Sequence, residues 1–451
     1  MKRIPHRGKG IRRTAPAAKP ADGSGRSRPR GGGRAPGARG PAGAITEPAR
    51  TIPVCGARDI VVAGGGLAGV AAAVAARRLG GSVCLLEKAS ALGGLATLGN
   101  VTVWLPLCDG RGRQVIGGIA EEMLRLSVRD LAGDDHAARF IGVPPCWEPG
   151  GDAAQRRRVR YQVQFNPGAY LLALEKWVTE AGVELWYDTR VCAVRRAGGR
   201  LTHVVVENKG GRQAVAGRLF IDATGDADLC HLAGEATESL DSNVLCGWFY
   251  YLVDGRLHLC PCSNPFSPQL TREGGVGPFF RGDDAREVTA MILGSRDLVR
   301  RQLDDLRARH PGTDVQIVLP PSIACFRATR RLAGAFTLEE PHAHRWFDDA
   351  CGLTGDWRRP GPVWALPWRC LCGVRNRNLA VAGRCISAAA GVWDVTRAIP
   401  GCAVTGEAAG TAAALAVREA GADFRALSVT RLQAELRRRG GRLDPTLVAE
   451  A

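Results

Sequence analysis

From residue 59 onward the chain alternates short apolar runs with alanine-rich stretches, a rhythm that predicts strand and helix in turn. Residues 59–63 form an apolar run of strand length, Gly64-Gly65-Gly66-Leu67-Ala68-Gly69 follows, and residues 70–79 are helix-forming. A second apolar run over 82–86 ends at Glu87. Strand, glycine turn, helix, strand and acid together make a βαβ unit. The pattern then predicts a helix over 116–126, a helix through residue 180 opened by Asn166 or Pro167 and closed by Gly182, and a strand over 183–187. Strands over 190–196 and 201–207 meet at Gly198-Gly199, and a last strand over 218–221 runs into Asp222-Ala223-Thr224-Gly225-Asp226. Residues 234–376 are less regular and carry one long polar helix, 284–310. A buried-type strand over 379–382 ends at Gly383-Arg384, and an Ala/Gly-rich helix over 404–419 follows Pro400-Gly401-Cys402. Alternation of this kind predicts an α/β fold.

Composition changes that picture little. At 451 residues, 45% of them hydrophobic, the chain exceeds one ordinary domain and has enough apolar surface for a filled core. The formal charge of +17 suggests a nucleic-acid partner until it is located. Residues 1–50 hold 13 Lys and Arg against Asp22 and Glu47, a net +11, and the remainder carries an ordinary +6. The charge belongs mainly to an Arg/Gly/Pro/Ala-rich tail, which buries too little apolar surface to order itself. No aromatic side chains interleave its arginines as a polyanion-binding arm would require.

The 15 cysteines are odd in number and irregularly spaced. Cys260/Cys262 and Cys370/Cys372 are the only close pairs, so neither a disulfide framework nor a metal site is expected. No apolar run reaches membrane-spanning length, and no apolar segment follows Arg12-Arg13 as an export signal would need. A cytoplasmic protein with reduced thiols is the expectation.

Gly64, Gly66 and Gly69 fit G-x-G-x-x-G between a strand and a helix. The first glycine permits a tight turn, the second lets a pyrophosphate approach the backbone, and the third lets helix pack on strand. The helix that follows this hexad turns its positive end towards the phosphates. Glu87 stands about twenty residues on, where a carboxylate accepts ribose hydroxyls. These residues predict dinucleotide binding.

Glu87-Lys88 followed by Leu92-Gly93-Gly94-Leu95-Ala96-Thr97 resembles the second phosphate-proximal turn of the glutathione-reductase-type FAD domain, and Asp222-Ala223-Thr224-Gly225-Asp226 is similar to its late Ala-Thr-Gly motif. A closer resemblance is to the FAD-dependent oxidoreductase family, related to fumarate reductase flavoproteins. It rests on residues 105–110, 327–334, 378–387, 396–400 and 406–413, in order along the chain. The resemblance implies FAD held by Gly64, Gly66, Leu67, Ala68, Gly69, Glu87, Lys88, Gly93, Gly94, Val191, Ala223, Thr224, Gly225, Asp226, Gly383 and Arg384. It also implies a discontinuous Rossmann-like FAD-binding domain of the glutathione reductase type with an inserted α+β substrate lobe. The corresponding division is a basic tail at 1–56, FAD-binding parts at 57–104, 166–235 and 376–430, lobe parts at 105–165 and 236–375, and a C-terminal tail at 431–451.

Two departures from the family pattern stand out. Arg384 follows Gly383 where many such FAD domains place an Asp that holds the ribityl chain. Ala328 interrupts a stretch that family members often write Arg-Glu-Thr-Arg-Arg. Residues 94–99 contain no His that would tether a flavin covalently, so a noncovalent cofactor is expected.

In a flavoenzyme the isoalloxazine carries the redox step and the protein supplies position and electrostatics. The start of the helix over 404–419 is expected at the pyrimidine edge of the flavin, where its dipole favours an anionic reduced form. Arg327, Arg330 and Arg397, with Arg331 beside them, are the candidates for gripping an anionic or carbonyl-bearing substrate, because a guanidinium fork matches a carboxylate. The competing assignment is solvated or pyrophosphate-adjacent arginines. His342 and His344 are candidate proton shuttles, with a surface position as the alternative. Cys108 and Cys402 are candidates for a place near the flavin, and residues 156–158 read as a solvated basic loop. The leading function is hydride transfer between an unidentified small molecule and FAD, with an unknown electron partner. A flavoenzyme acting on RNA and a non-catalytic binding protein are the alternatives, and no nucleic-acid or membrane partner is expected.

Overall fold

The computed structural model describes Gly43, residues 45–131 and residues 140–450. The chain divides into two compact units, Met1–Thr51 and Ile52–Ala451, and among the described residues every regular element belongs to the second. The expected basic tail lies largely outside the described residues.

Strand β1 (Val54–Ala63), helix α1 (Leu67–Arg78) and strand β2 (Val83–Leu86) form the βαβ unit. β1 begins at Val54, so residues 54–56 belong to the sheet and not to the tail. Its first half is exposed or half-buried and carries no apolar run, and pairing with residues 214–217 alone draws it into strand.

β1 sits at the centre of a seven-stranded mixed sheet. On one side β2 and then Glu184–Trp186 lie parallel to it. On the other lies the long strand Gly211–Asp222, also parallel. That strand pairs antiparallel through its first half with Arg200–Asn208, which pairs in turn with Arg190–Ala197, and parallel with Leu379–Val381 at its end. The sequence signals only residues 218–221 of this strand, and the meander extends it back to Gly211.

Alanine and glycine serve one contact above all. α1 and the helix Ile399–Glu419 pack with backbones almost touching. A Cβ on Gly406 would lie 2.2 Å from the Ala68 carbonyl oxygen, and one on Gly410 would lie 2.1 Å from that of Ala72. Ala71, Ala72 and Ala75 opposite are fully buried. This second helix starts at Ile399 and not at 404, because Pro400 needs no amide partner in a first turn and so opens the helix instead of preceding it. Helix Ile119–Val128 starts three residues later than expected, behind Gly118 at φ 62. Pro167–Glu180 has the expected bounds, with the Asn166 side chain accepting from the Gly168 and Ala169 amides.

The less regular stretch holds a three-stranded antiparallel sheet, with Phe249–Val253 between Arg256–Cys260 and Val315–Leu319. Asp254-Gly255, both at positive φ, turn the hairpin, a two-residue signal present in the sequence but not used there. Asp284 caps the 25-residue helix Ala285–Arg309, whose buried face joins Phe249, Phe280 and Val315 in a second hydrophobic cluster. The expected C-terminal tail is instead ordered. Val429–Arg438 and Pro445–Val448 are helical and bury Leu432, Leu436 and Val448 in the main core.

Candidate functional site

Gly64 takes φ 104, and its amide donates to the Leu86 carbonyl at 2.8 Å. A Cβ there would lie 2.4 Å from the Ala223 carbonyl oxygen, so glycine alone lets the two turns close together. A Cβ on Gly69 would come within 1.8 Å of the Gly64 carbonyl oxygen, because α1 springs directly from its strand. Gly66 is different. Its φ of −65° suits any residue, nothing lies within 4 Å of an added Cβ, and it lines an open cleft. No side chain caps α1, and its first-turn amides have no intrahelical partner, the arrangement that receives an anion.

The second glycine pair completes this wall. The Gly93 amide donates to the Gly65 carbonyl at 2.9 Å, with Gly93 at φ 98 and Gly94 at φ 56. Glu87 is buried at the end of β2, where its carboxylate accepts the Gly65 amide at 2.6 Å and the Ala89 amide at 2.7 Å. An ionised carboxylate has about four lone-pair positions, so two remain to accept from groups in the cleft.

On the opposite wall the strand Gly211–Asp222 ends in a fully buried carboxyl. Asp222 accepts the Thr224 amide and hydroxyl and the Cys230 amide, which shapes the Ala223–Gly225 turn. Arg384 donates to Asp226 at 2.7 Å, to the Gly225 carbonyl at 2.8 Å and to the Phe326 carbonyl at 3.2 Å. The acid missing after Gly383 is thus matched by one on the facing turn, clamped by the arginine that replaces it. Gly383, at φ 84, donates to the Thr405 hydroxyl at 2.9 Å.

These walls enclose a cleft of about 630 Å³. Gly64, Gly66, Leu67, Ala68, Glu87, Lys88, Gly93, Gly94, Val191, Ala223, Thr224, Gly225, Asp226, Gly383 and Arg384 all line it. Gly69 stands behind the lining as a packing glycine.

The candidate substrate arginines separate. Arg330 lines the cleft with its guanidinium on Asp228 at 2.6 Å and on the Asp226 carbonyl at 3.0 Å. Arg397 lines it too; buried Asp394 holds its Nε at 2.9 Å and also its Nη2, with Nη1 outside that pair. Arg327 is not among the lining residues. It stacks 3.8 Å above the Phe266 ring and donates to Ser263 at 2.7 Å. Arg331 is buried on Glu238. Cys402 lies on the cleft, where burial raises its thiol to about 11 despite the nearby Arg384 and Arg397.

Other candidates fall elsewhere. Cys108 is buried, with its sulfur accepting the Tyr161 amide. His342 is half-buried; its Nδ1 accepts the Glu339 amide and its ring packs on Phe336 and Phe347. His344 bonds the Val448 carbonyl. Arg156, within the basic run, packs over Trp147 instead of standing free in solvent. Sequence reasoning missed Val288 and Ile292, two apolar residues four apart on a polar helix, and the segment 322–324, all of which line the cleft. Among the described residues no group of three or more His, Cys, Asp or Glu is placed to hold a metal ion, and no helix is long and apolar enough to cross a membrane.

A mixed sheet with a glycine-walled cleft at the ends of its parallel strands defines a dinucleotide-binding α/β protein. The model of the FAD dependent oxidoreductase family matches residues 59–242 and 283–436, and the chain belongs to that family. Its cofactor is FAD. Among curated proteins none matches the sequence. Similar solved structures include a geranylgeranyl bacteriochlorophyll reductase-like protein from Thermoplasma acidophilum, at 13% identity and TM-score 0.45 over 85% of this chain and 84% of that one. The p-nitrophenol 4-monooxygenase of Pseudomonas putida is similar at 12% identity and TM-score 0.45, over 85% of each chain.

Proposed function

We propose that this chain passes a hydride between a small organic substrate and noncovalently held FAD, with the cofactor lying in the manner of glutathione-reductase-type domains and residues 236–375 forming a substrate lobe. The observation that carries the reading is one continuous cleft, which joins the glycine turns and Glu87 to Arg397 and the first turn of the helix Ile399–Glu419.

The cleft fits the cofactor at its narrowest requirement. Where a diphosphate must meet backbone, Gly66 presents no side chain and an added Cβ would project into open space. When bound, FAD supplies a two-electron centre at the flavin. The α1 amides hold the diphosphate, Glu87 accepts the adenosine ribose hydroxyls, and Asp226, fixed by Arg384, accepts hydroxyls further along the cofactor. The helix beginning at Ile399 directs its positive end into the cleft and favours negative charge there. Arg397, held by Asp394, orients a carboxylate or carbonyl of the substrate.

Anaerobic mixing of the purified yellow protein with a panel of small carbonyl- and carboxylate-bearing reductants tests the reading. At least one is expected to bleach the flavin band, and to do so at higher concentration in Arg397→Ala. A flavin that none of the panel reduces, while dithionite still bleaches it, would overturn the assignment.

A further inference from the structure

Asp394 serves two arginines. The turn after the strand Ala350–Gly355 sets Asp356, Trp357 and Arg358 against the short helix Ala390–Thr396, which runs directly into Arg397. None of the three lines the cleft. The Asp356 carboxylate is fully buried and accepts Arg358 Nε at 2.9 Å and Nη2 at 3.0 Å, a two-pronged pair that fixes the guanidinium plane. The remaining nitrogen, Nη1, donates to the Gly391 carbonyl at 3.0 Å and stands 3.8 Å from Asp394 Oδ2, an oxygen with no hydrogen bond of its own. Trp357 Nε1 donates to the Asp394 carbonyl at 3.1 Å. The other carboxylate oxygen, Oδ1, takes both prongs of Arg397.

These contacts extend outward, where exposed Arg359 stands 3.4 Å from Asp356 and 3.8 Å from Glu340. The result is a row of alternating charge that starts at the surface with Glu340 and Arg359, passes through Asp356, Arg358 and Asp394, and ends on the cleft at Arg397. The row itself is balanced, three charges of each sign. Arg327 supplies an excess at the inner end. It shares the Phe266 ring with Arg397, at 3.8 Å and 5.9 Å from the ring centre, and among the described residues its guanidinium meets the Ser263 hydroxyl and no carboxylate. Arg330 and Arg384, elsewhere on the cleft, each have a carboxylate to themselves. A carboxylate divided between two guanidiniums neutralises neither fully, so Arg358 leaves Arg397 more of its charge than a private ion pair would. A neutral ligand gains little from that surplus, whereas a carboxylate gains a charge-assisted hydrogen bond.

We propose that Arg358 is a positioning residue for Arg397, and that the two together set the cleft to take a carboxylate in preference to a neutral carbonyl group. Arg358 and Trp357 grip the helix Ala390–Thr396 at Gly391 and Asp394, which fixes Asp394 and through it the guanidinium plane of Arg397. Arg358 also draws on the Asp394 charge, and so keeps Arg397 cationic towards the cleft. The inference rests on the reading of Arg397 as the residue that orients the substrate, and not on hydride transfer.

The test titrates the full chain with its oxidised flavin at constant ionic strength and follows the flavin absorbance band. The probes are acetate and benzoate, each against its uncharged amide, acetamide or benzamide. At least one acid is expected to shift the band and saturate, with its amide about tenfold to a hundredfold weaker, as for loss of a charged hydrogen bond. In Arg358→Gln the acid is expected to bind about tenfold more weakly, with amide binding and flavin content unchanged. Arg358→Lys keeps the charge without the fork and should recover part of the loss. The double variant Asp356→Asn with Arg358→Gln removes the same link while leaving Asp356 uncharged. It should match the single variant, so a folding defect in Arg358→Gln does not decide the result. Equal affinity for acid and amide, or no shift with either acid, would overturn the inference. So would variants that leave acid binding unchanged or weaken acid and amide alike. If the acids bind as expected while no reductant bleaches the flavin, hydride transfer alone fails.

Discussion

Glu87 at the end of β2 and Gly65 in the turn after β1 are joined by a hydrogen bond of 2.6 Å from amide to carboxylate. The acid therefore shapes the glycine turn as well as lining the cleft. Glu87→Ala removes both roles at once, and apoprotein titrated with FAD is expected to bind about tenfold to a hundredfold more weakly, as for loss of a charged hydrogen bond. Glu87→Gln keeps one acceptor and should fall between the two.

Gly66 and Gly69 stand three residues apart with opposite constraints. Gly66→Ala is expected to fold with near-normal stability and to purify with little flavin, because its Cβ meets only the cleft. Gly69→Ala drives a Cβ into the Gly64 carbonyl and should lose several kcal/mol, on the order of severe overpacking. Urea unfolding together with the flavin-to-protein absorbance ratio separates the two. Equal loss of stability in both would refute the distinction.

Gly410 touches Ala72 without a side chain between them. In Gly410→Val the two helices must separate, and a loss of roughly 3 kcal/mol or more is expected by denaturant titration, beyond what helix propensity alone accounts for. The same substitution at exposed Gly142, where an added Cβ meets nothing within 4 Å and φ is not positive, is the control.

Glu407 lies inside the helix Ile399–Glu419, buried against the amide end of Ile119–Val128. Burial raises its carboxyl to about 8, although the Ile119 amide, donating at 3.0 Å, pulls the other way. The folded chain thus holds this proton to higher pH than the unfolded chain, whose value is near 4.5. Its contribution is complete below about pH 4.5 and is lost as pH rises through about 8. Glu407→Gln should remove that slope and gain on the unmodified chain at pH 9 by a few kcal/mol, at about 1.4 kcal/mol per pH unit. A stability difference between the two chains that stays constant from pH 5 to 9 would contradict it.

Much of the cofactor cleft was readable along the chain because its parts are local. A strand, a glycine turn, a helix and an acid follow one another within 30 residues, and Gly64 and Gly69 answer backbone demands that no other residue meets. The meander turned by Gly198-Gly199 and the cap at Asn166 were legible for the same reason. The hairpin at Asp254-Gly255 was signalled equally well, but its flanking strands are half-exposed and did not stand out as apolar runs.

What the chain itself determines is its βαβ start, its glycine turns and its cofactor class, since these depend on neighbours in sequence. Only the folded molecule decides that Asp226 answers the acid absent after Gly383, that Arg327 stacks on Phe266 while Arg330 and Arg397 reach the cleft, and that residues 429–448 are packed. The Arg384–Asp226 pair spans 158 positions and the Arg327–Phe266 stack spans 61, and charge pairing, burial and close approach at such separations leave no periodic trace in the sequence.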